Sequence, residues 1–555
     1  MTDPDHTSVR PVPGEMRPWS DLDGPIGPFG GAAALRLLED VLPRGGRWLI
    51  AGPHADAVLT LAQERSESLT VLIRAASDGE TTSTRFPTGL DIAIGALDGL
   101  SPEDGAFDVV LAADGLDRVL TPDSADLAWP ERLDLLRSLA NDGATIVVGL
   151  GNEFALATLL DARVARDRHG DEEWRPIHSD TERPCSLGQF VDALAERGLT
   201  PSSTWTTFGP QAQPGLIASA DAAGSARPDR FLANAATAAV RATRSPLLAL
   251  PDEALSTAAR AGALPTVADG FLAIIGGDAA STAHAPTEAY GSTGDESAWT
   301  ARREGNGADA TWLLSDATGA EQRVPGGRTV ESELRELAER EDVPGFRAYA
   351  QRLGEWTRTL PDHVGPLTLD SLVRDGNTFV DTHVGGPAHE ESARDMAVAA
   401  AWFRFQDRLL AQHRRHPWPP WVVGSELVGI WSSMAGVATD ADSLESARVL
   451  ADSLAGPTPD IVDARTALAD RDEAAKQLFE ANGHIFGLER TIGFRDKQLL
   501  TREKRIRKLH KDLQKVEKIR NHPAYRTLRK AAKVREPRKF AAAVKKKAGT
   551  RLRGR

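Results

Sequence analysis

His54 and Asp114 are the polar side chains best placed for chemistry in this sequence. His54 follows the short apolar run Trp48-Leu49-Ile50, which stops at Gly52, and Asp114 follows the run FDVVLAA. A histidine in such a turn can take a proton from a hydroxyl near neutral pH, because its ordinary pKa lies close by. It can equally be a loop residue facing solvent. Asp114 sits directly at a predicted strand end, where it would border a bound small molecule.

The elements that must position these groups lie between Gly45 and Asn152. Four short apolar runs occur there: Trp48 to Ile50, Leu69 to Ile73, FDVVLAAD and ATIVVGLG. Helical spacing separates the first two, over Ala55 to Arg65. Short apolar runs alternating with helices predict a parallel sheet covered on both faces. Ligands of such sheets bind at the carboxyl ends of the strands, beside the first of them. The predicted site is therefore formed by the loops after Ile50, Ile73 and Leu111. A helix over Gly30 to Leu42 precedes this region. Another over Glu153 to Arg168 follows, then a polar loop with Trp174 and His178. The helix after that starts at Ser186, whose side chain can cap it, and stops at Gly198. Ser203 to Phe208 and GLIAS from Gly215 are the last strands, and Phe231 to Val240 is helical.

The order of these elements resembles the class I S-adenosylmethionine-dependent methyltransferases, of the bacterial surface-polysaccharide type. The resemblance covers residues 30 to 240. It rests on the glycine turn after the first strand, the FDVV strand, and the Gly-containing turn Asn141-Asp142-Gly143 before Ile146. Asp98, Gly105, Phe107 and Asp108 stand where that family has an acidic residue, a loop, Gly and Phe-Asp. The resemblance implies a Rossmann-like α/β fold and S-adenosylmethionine as cofactor, bordered by Gly52, Asp78, Asp98 and Asp114. Two places depart from the family. The first loop, AGPHAD, keeps one glycine, and Pro53 removes a backbone donor. The family's ribose-binding acid at the end of the second strand is replaced by Arg74. Either Asp78, four residues on, reaches back to the ribose, or that contact is lost.

Composition narrows the chemistry. The 555 residues exceed what a single core usually holds, so several domains are expected. No apolar run reaches about 18 residues, so no membrane-spanning helix is expected. A single cysteine, Cys185, allows no internal disulfide, and a cytoplasmic setting fits. No lysine precedes Lys476. Phosphate-loop and Schiff-base lysines are thereby excluded from the body. From Arg495 onward there are 24 Lys plus Arg against 5 Asp plus Glu, a balance of +19. The whole chain is −13, so residues 1–494 carry −32.

The expected organisation is an irregular N-terminal arm over 1–29, a methyltransferase-like domain over 30–245 and a linker over 246–298. An α+β domain over 299–437 follows, then a linker over 438–464, a coiled coil over 465–520 and a basic amphipathic tail over 521–555. The α+β domain opens with strands at Ala298 to Arg303 and Ala310 to Leu314. Its segment LTLDSLVRDGNTFVD predicts a hairpin turning at Asp375-Gly376. The hairpin is similar in outline to the catalytic hairpin of small-molecule kinases. Asp381 stands in the place of the last metal-binding aspartate, but Asp370-Ser371 replace the asparagine. Without a lysine, phosphoryl transfer is not expected, so the segment reads as a kinase-like remnant or an unrelated domain.

Leu478, Ile485, Ile492, Leu499, Ile506 and Leu513 recur every seven residues. A sustained heptad predicts a coiled coil and thus a homo-oligomer; one helix folded back on the body is the alternative. The tail interleaves Tyr525, Leu528, Phe540 and Val544 with basic groups. It is expected to hold the chain at an anionic inner-membrane surface, with nucleic acid as the weaker alternative. By resemblance the methyl acceptor is a sugar hydroxyl of a membrane-linked glycan. A second expectation is a non-catalytic scaffold in glycan assembly.

Overall fold

A computed structural model describes residues 6–17, 19–24, 26–101, 106–163, 180–225, 230–241, 246–276, 287–293, 297–304, 311–382, 391–411, 416–419, 421–454 and 464–534. Trp174, His178, Phe540 and Val544 lie outside them. The chain divides into two units, Met1–Asp463 and Ala464–Arg555.

The first unit is built on one mixed sheet of 13 strands. Its parallel half comprises β1 (Ser8–Pro11), β2 (Arg47–Ala51), β3 (Ser68–Ile73), β4 (Leu90–Ile94), β5 (Phe107–Ala112) and β6 (Ala140–Gly151). They lie side by side in the order β1-β4-β3-β2-β5-β6. The remaining strands are β7 (Pro201–Phe208), β8 (Leu216–Ser219), β9 (Gly270–Ile275), β10 (Ala289–Thr293), β11 (Ser297–Glu304), β12 (Thr311–Ser315) and β13 (Glu321–Val324). They continue the sheet antiparallel, in the order β9-β7-β8-β10-β11-β12-β13.

Strand geometry explains why the central runs are apolar without a break. Successive side chains point to opposite faces, and both faces are covered. Trp48 and Ile50 of β2 enter one core with Val109 and Leu111 of β5. Leu49 and Ala51 enter the other with Val110 and Ala112. The helices that flank the predicted site are α1 (Ala32–Val41), α2 (Asp56–Arg65), α3 (Ala76–Arg85) and α4 (Trp129–Ser138). The helix Leu187–Glu196 is capped as expected, with the Ser186 side chain accepting from Gln189 N.

Several expectations need correction. The arm is not irregular throughout: β1 pairs in parallel with β4. The helix expected from Glu153 is confined to Leu156–Leu159 among the described residues. GLIAS is β8 but does not close the sheet: it lies between β7 and β10, and the sheet runs on to β13. Strand β9, not expected, lies between β6 and β7 and is buried along its whole length. Alanine- and glycine-rich sequence surrounds its segment and gives it the composition of a linker. The strands expected to open a second domain, β11 and β12, extend the first sheet, since hairpin strands carry no local mark of which sheet they join.

A second core lies over residues 330–451. It gathers the helices Val330–Glu339, Val343–Thr357, Arg394–Ala411, Ser425–Met434 and Ala441–Ser453. The last of these runs through the stretch read as a second linker, and buries Leu444, Ala447 and Ala451. Phe346, Trp402, Phe405, Trp418 and Trp431 form its centre, with Phe346 and Trp418 edge to face at 4.9 Å. The Asp375-Gly376 hairpin is present, with Leu372–Asp375 paired to Thr378–Asp381 and Gly376 at φ 59°.

In the second unit a single helix runs over Ala464–Asn521, followed by Pro523–Val534. At 58 residues it spans about 87 Å. The six heptad residues from Leu478 to Leu513 are all more than half exposed. Among the described residues no helix is long and apolar enough to cross a membrane.

Candidate functional site

The turn after β2 brings three of the expected residues to one place. Gly52 adopts φ 89°, in the left-handed region that favours glycine. Gly52, His54 and Asp78 line one small cavity together with Asp21, Leu22 and Arg74. The Asp114 carboxylate borders the same turn, 3.9 Å from the place a Cβ on Gly52 would occupy. Asp98 is not in this group. It lies in the short turn Leu97–Gly99 and accepts from Ser124 Oγ at 2.8 Å and Ala125 N at 3.2 Å.

The arm packs over these strand ends. Arg74 forks onto Asp21, with Nε and Nη2 each 2.7 Å from a carboxylate oxygen. Its Nη1 donates to Leu120 O at 3.0 Å, and the Trp19 ring lies 5.3 Å from the guanidinium carbon. Both side chains of the ion pair are at most 2% exposed. Asp78 accepts from Ser20 Oγ and Asp21 N, each at 2.6 Å, and from Leu22 N at 3.2 Å. The carboxylate expected to hold a ribose thus holds the chain's own arm.

The same closure continues around the strand ends. Arg118 pairs with Asp114, and its Nη2 also donates to Gly27 O at 2.8 Å. Burial opposes the charge on Arg118, but Asp114 outweighs it and raises its affinity for the proton. Gly95 lies directly under the arm, since a Cβ there would meet Val12 O at 2.4 Å.

His54 is buried, not solvent-facing. Its Nδ1 lies 3.0 Å from Gly52 O and its ring meets Phe29 edge-on at 5.8 Å. Burial holds its pKa below the ordinary value, so it is neutral near pH 7. Its Nε2 has no partner among the described residues. A neutral ring with a free nitrogen has the chemistry of a general base, but this one is buried against Phe29.

The cavity enclosed by these groups measures ≈10 Å³. One water needs about that much, and small-molecule sites run to about 300 Å³ and more. A cavity of that size holds a water and no small molecule.

Asp21, Trp19, Ser20 and Arg118 were not anticipated. A signal for Asp21 was present: an arginine in a buried strand end requires a carboxylate, and Ser20-Asp21-Leu22-Asp23 is the acidic stretch of the arm. Among the described residues no group of three His, Cys, Asp or Glu is arranged to hold a metal ion.

No family model and no curated protein matches this sequence. Solved structures match in part. A 1,6-didemethyltoxoflavin-N1-methyltransferase of Burkholderia thailandensis, crystallised with S-adenosylhomocysteine, is 14% identical with a TM-score of 0.22; the match covers 31% of this chain and 70% of that one. A putative methyltransferase of Bacillus halodurans is 10% identical with a TM-score of 0.24, over 31% of this chain and 71% of that one. The [4+2]-cyclase SpnF is 16% identical with a TM-score of 0.27, over 48% of this chain and 97% of that one. The strand order and the closed crevice stand independently of these partial likenesses.

Proposed function

We propose that this chain is a methyltransferase-fold protein of the S-adenosylmethionine-dependent type whose cofactor crevice is sealed by residues 19–22 and 27–29 of its own arm. The observation that carries the seal is the triple hydrogen bonding of Asp78 by Ser20, Asp21 and Leu22. What supports the cofactor is the central β2 with its glycine turn, the carboxylates gathered there, and the named ligands of the solved methyltransferases. Binding then requires the arm to leave. The acceptor we propose is a sugar hydroxyl of a membrane-linked surface glycan, in line with the family resemblance and the basic tail.

The second reading is a scaffold without methyl transfer. The buried Asp21–Arg74 pair favours it, because moving the arm away would break a buried ion pair, which is costly. Calorimetric titration of S-adenosylmethionine separates the two. The full chain should bind weakly or not at all, and Ser20→Ala with Asp21→Asn should bind at least about tenfold more tightly, since each lost arm contact contributes about 1 kcal/mol or more. No binding by either protein leaves the scaffold as the function.

The long helix supports a homo-oligomer in which a second copy covers the exposed heptad residues, because an isolated helix gains little stability from propensity alone. The basic residues beyond it suit an anionic lipid surface at the inner face of the plasma membrane. Removing residues 464–555 should convert an oligomer to a monomer in light scattering and abolish sedimentation with phosphatidylserine vesicles. An unchanged mass refutes the coiled coil; equal sedimentation with neutral vesicles refutes the electrostatic anchor, and preferential binding to RNA would assign the tail to nucleic acid.

A further inference from the structure

A larger cavity lies away from the sealed crevice, between the sheet and the second core. Its volume is ≈310 Å³. It is walled by the helices Phe231–Arg241, Asp252–Ala261 and Val330–Glu339, and by the turn before the last of them. Five arginines line it (Arg230, Arg241, Arg260, Arg328 and Arg335) against three carboxylates, Asp252, Glu253 and Asp370.

The carboxylates do not cancel that charge locally. Asp252 is taken by Arg241 and by Arg335 at 3.3 Å. Asp370 is taken by Arg241 at 3.2 Å and by Arg408 at 2.6 Å. Arg230 and Arg260, by contrast, form no ion pair among the described residues, while Arg328 pairs with Glu336 at the rim. Arg230 is held in the left-handed backbone region at φ 57°, which is costly for a residue with a side chain. Burial, and then the proximity of Arg260, pull its pKa below the ordinary value. Crowded like charges of this kind are relieved by an anion. Thr237, Ser256 and Thr257 add hydroxyls to the same wall.

We infer that this cavity binds a phosphate-bearing small molecule, gripped by Arg230, Arg260 and Arg328. Guanidinium forks match phosphate oxygens in pairs, and three of them suit a group of charge near −2 better than a single carboxylate. The volume suits a ligand of a few to about twenty heavy atoms and not a polymer. This inference does not depend on the methyltransferase reading.

The test is calorimetric titration of the full chain at low salt with inorganic pyrophosphate, inorganic phosphate and citrate. Pyrophosphate should bind most tightly, weaken as salt is raised, and lose about tenfold or more in affinity in the Arg230→Gln, Arg260→Gln double variant. Arg260 is exposed, so Arg260→Gln alone retains the fold and should show a smaller loss in the same direction. Arg36→Gln, on the exposed face of α1, should bind as the parent does. Absence of pyrophosphate binding at millimolar concentration, unchanged affinity in both arginine variants, or equal binding of citrate would overturn the inference.

Discussion

Arg74→Met should lower the stability of the first unit by about 3–5 kcal/mol, because it leaves Asp21 buried without its counter-charge. The arm is tied at several points, and this pair is the buried charged one around residues 19–22. Asp21 also offers its backbone N–H to Asp78, and Trp19 packs on the guanidinium while donating to Asp21 at 3.0 Å. Losing the arginine therefore exposes the arm to proteolysis as well as lowering the unfolding midpoint. The partner replacement distinguishes pair from packing. Asp21→Leu combined with Arg74→Met removes both charges and should recover most of the loss, since a buried ion pair exchanged for apolar groups is often neutral. A loss below about 1 kcal/mol for Arg74→Met, or a double variant worse than the single one, contradicts the role given to this pair.

Arg241→Met should cost a similar amount, about 3–5 kcal/mol, at the junction of the two cores. Arg241 ends the helix that packs on the sheet and meets Asp252, Glu331 and Asp370. Burial works against ionisation of Asp370, but Arg408, Arg404 and Arg241 outweigh it and hold the carboxyl far below its usual range. Asp252 is likewise lowered: burial opposes its charge, and Arg241 and Arg335 prevail. The sign of the pH dependence follows. Depressed carboxyl groups stabilise the fold above their unfolded pKa, and that contribution is lost as pH falls through the folded value. The variant's carboxylates regain protons more readily. The gap between parent and variant should therefore stay wide from pH 7 down to about pH 4 and narrow only below it. Unfolding midpoints at about pH 7 and about pH 3 check this; a gap that is constant with pH would place the effect in packing and not in charge.

The parallel half of the sheet was legible because burial on both faces leaves an unmistakable pattern. In RWLIA, SLTVLI and FDVVLA the polar residues stand near the strand starts or, as Thr70, are buried, so no alternation marks a solvent face. Strand β9, GFLAII, carries the same local signal, yet its neighbours β6 and β7 are far away in sequence, and pairing at that range leaves no local trace. The site was legible in part. Gly52, His54 and Asp78 do converge, since the end of β2 lies beside the end of β3. Their occupancy was not legible, because Asp21 and Arg74 are 53 residues apart. The departure at Arg74 was the visible half of that pair.

The position of β9 also bears on how this protein can be made. When the ribosome has released residues up to Phe208, β6 and β7 both exist, but the slot between them is empty. It stays empty while β8 and four further helices emerge, and it closes only when Ile275 is free. Until then two long edges with unpaired amides face the same gap, the arrangement most prone to capture a strand from another chain. A chain shortened to residues 1–245 never leaves that stage. The methyltransferase-like part of this molecule is thus not separable at the boundary its helices suggest, and its maturation is tied to the synthesis of a strand the sheet receives late.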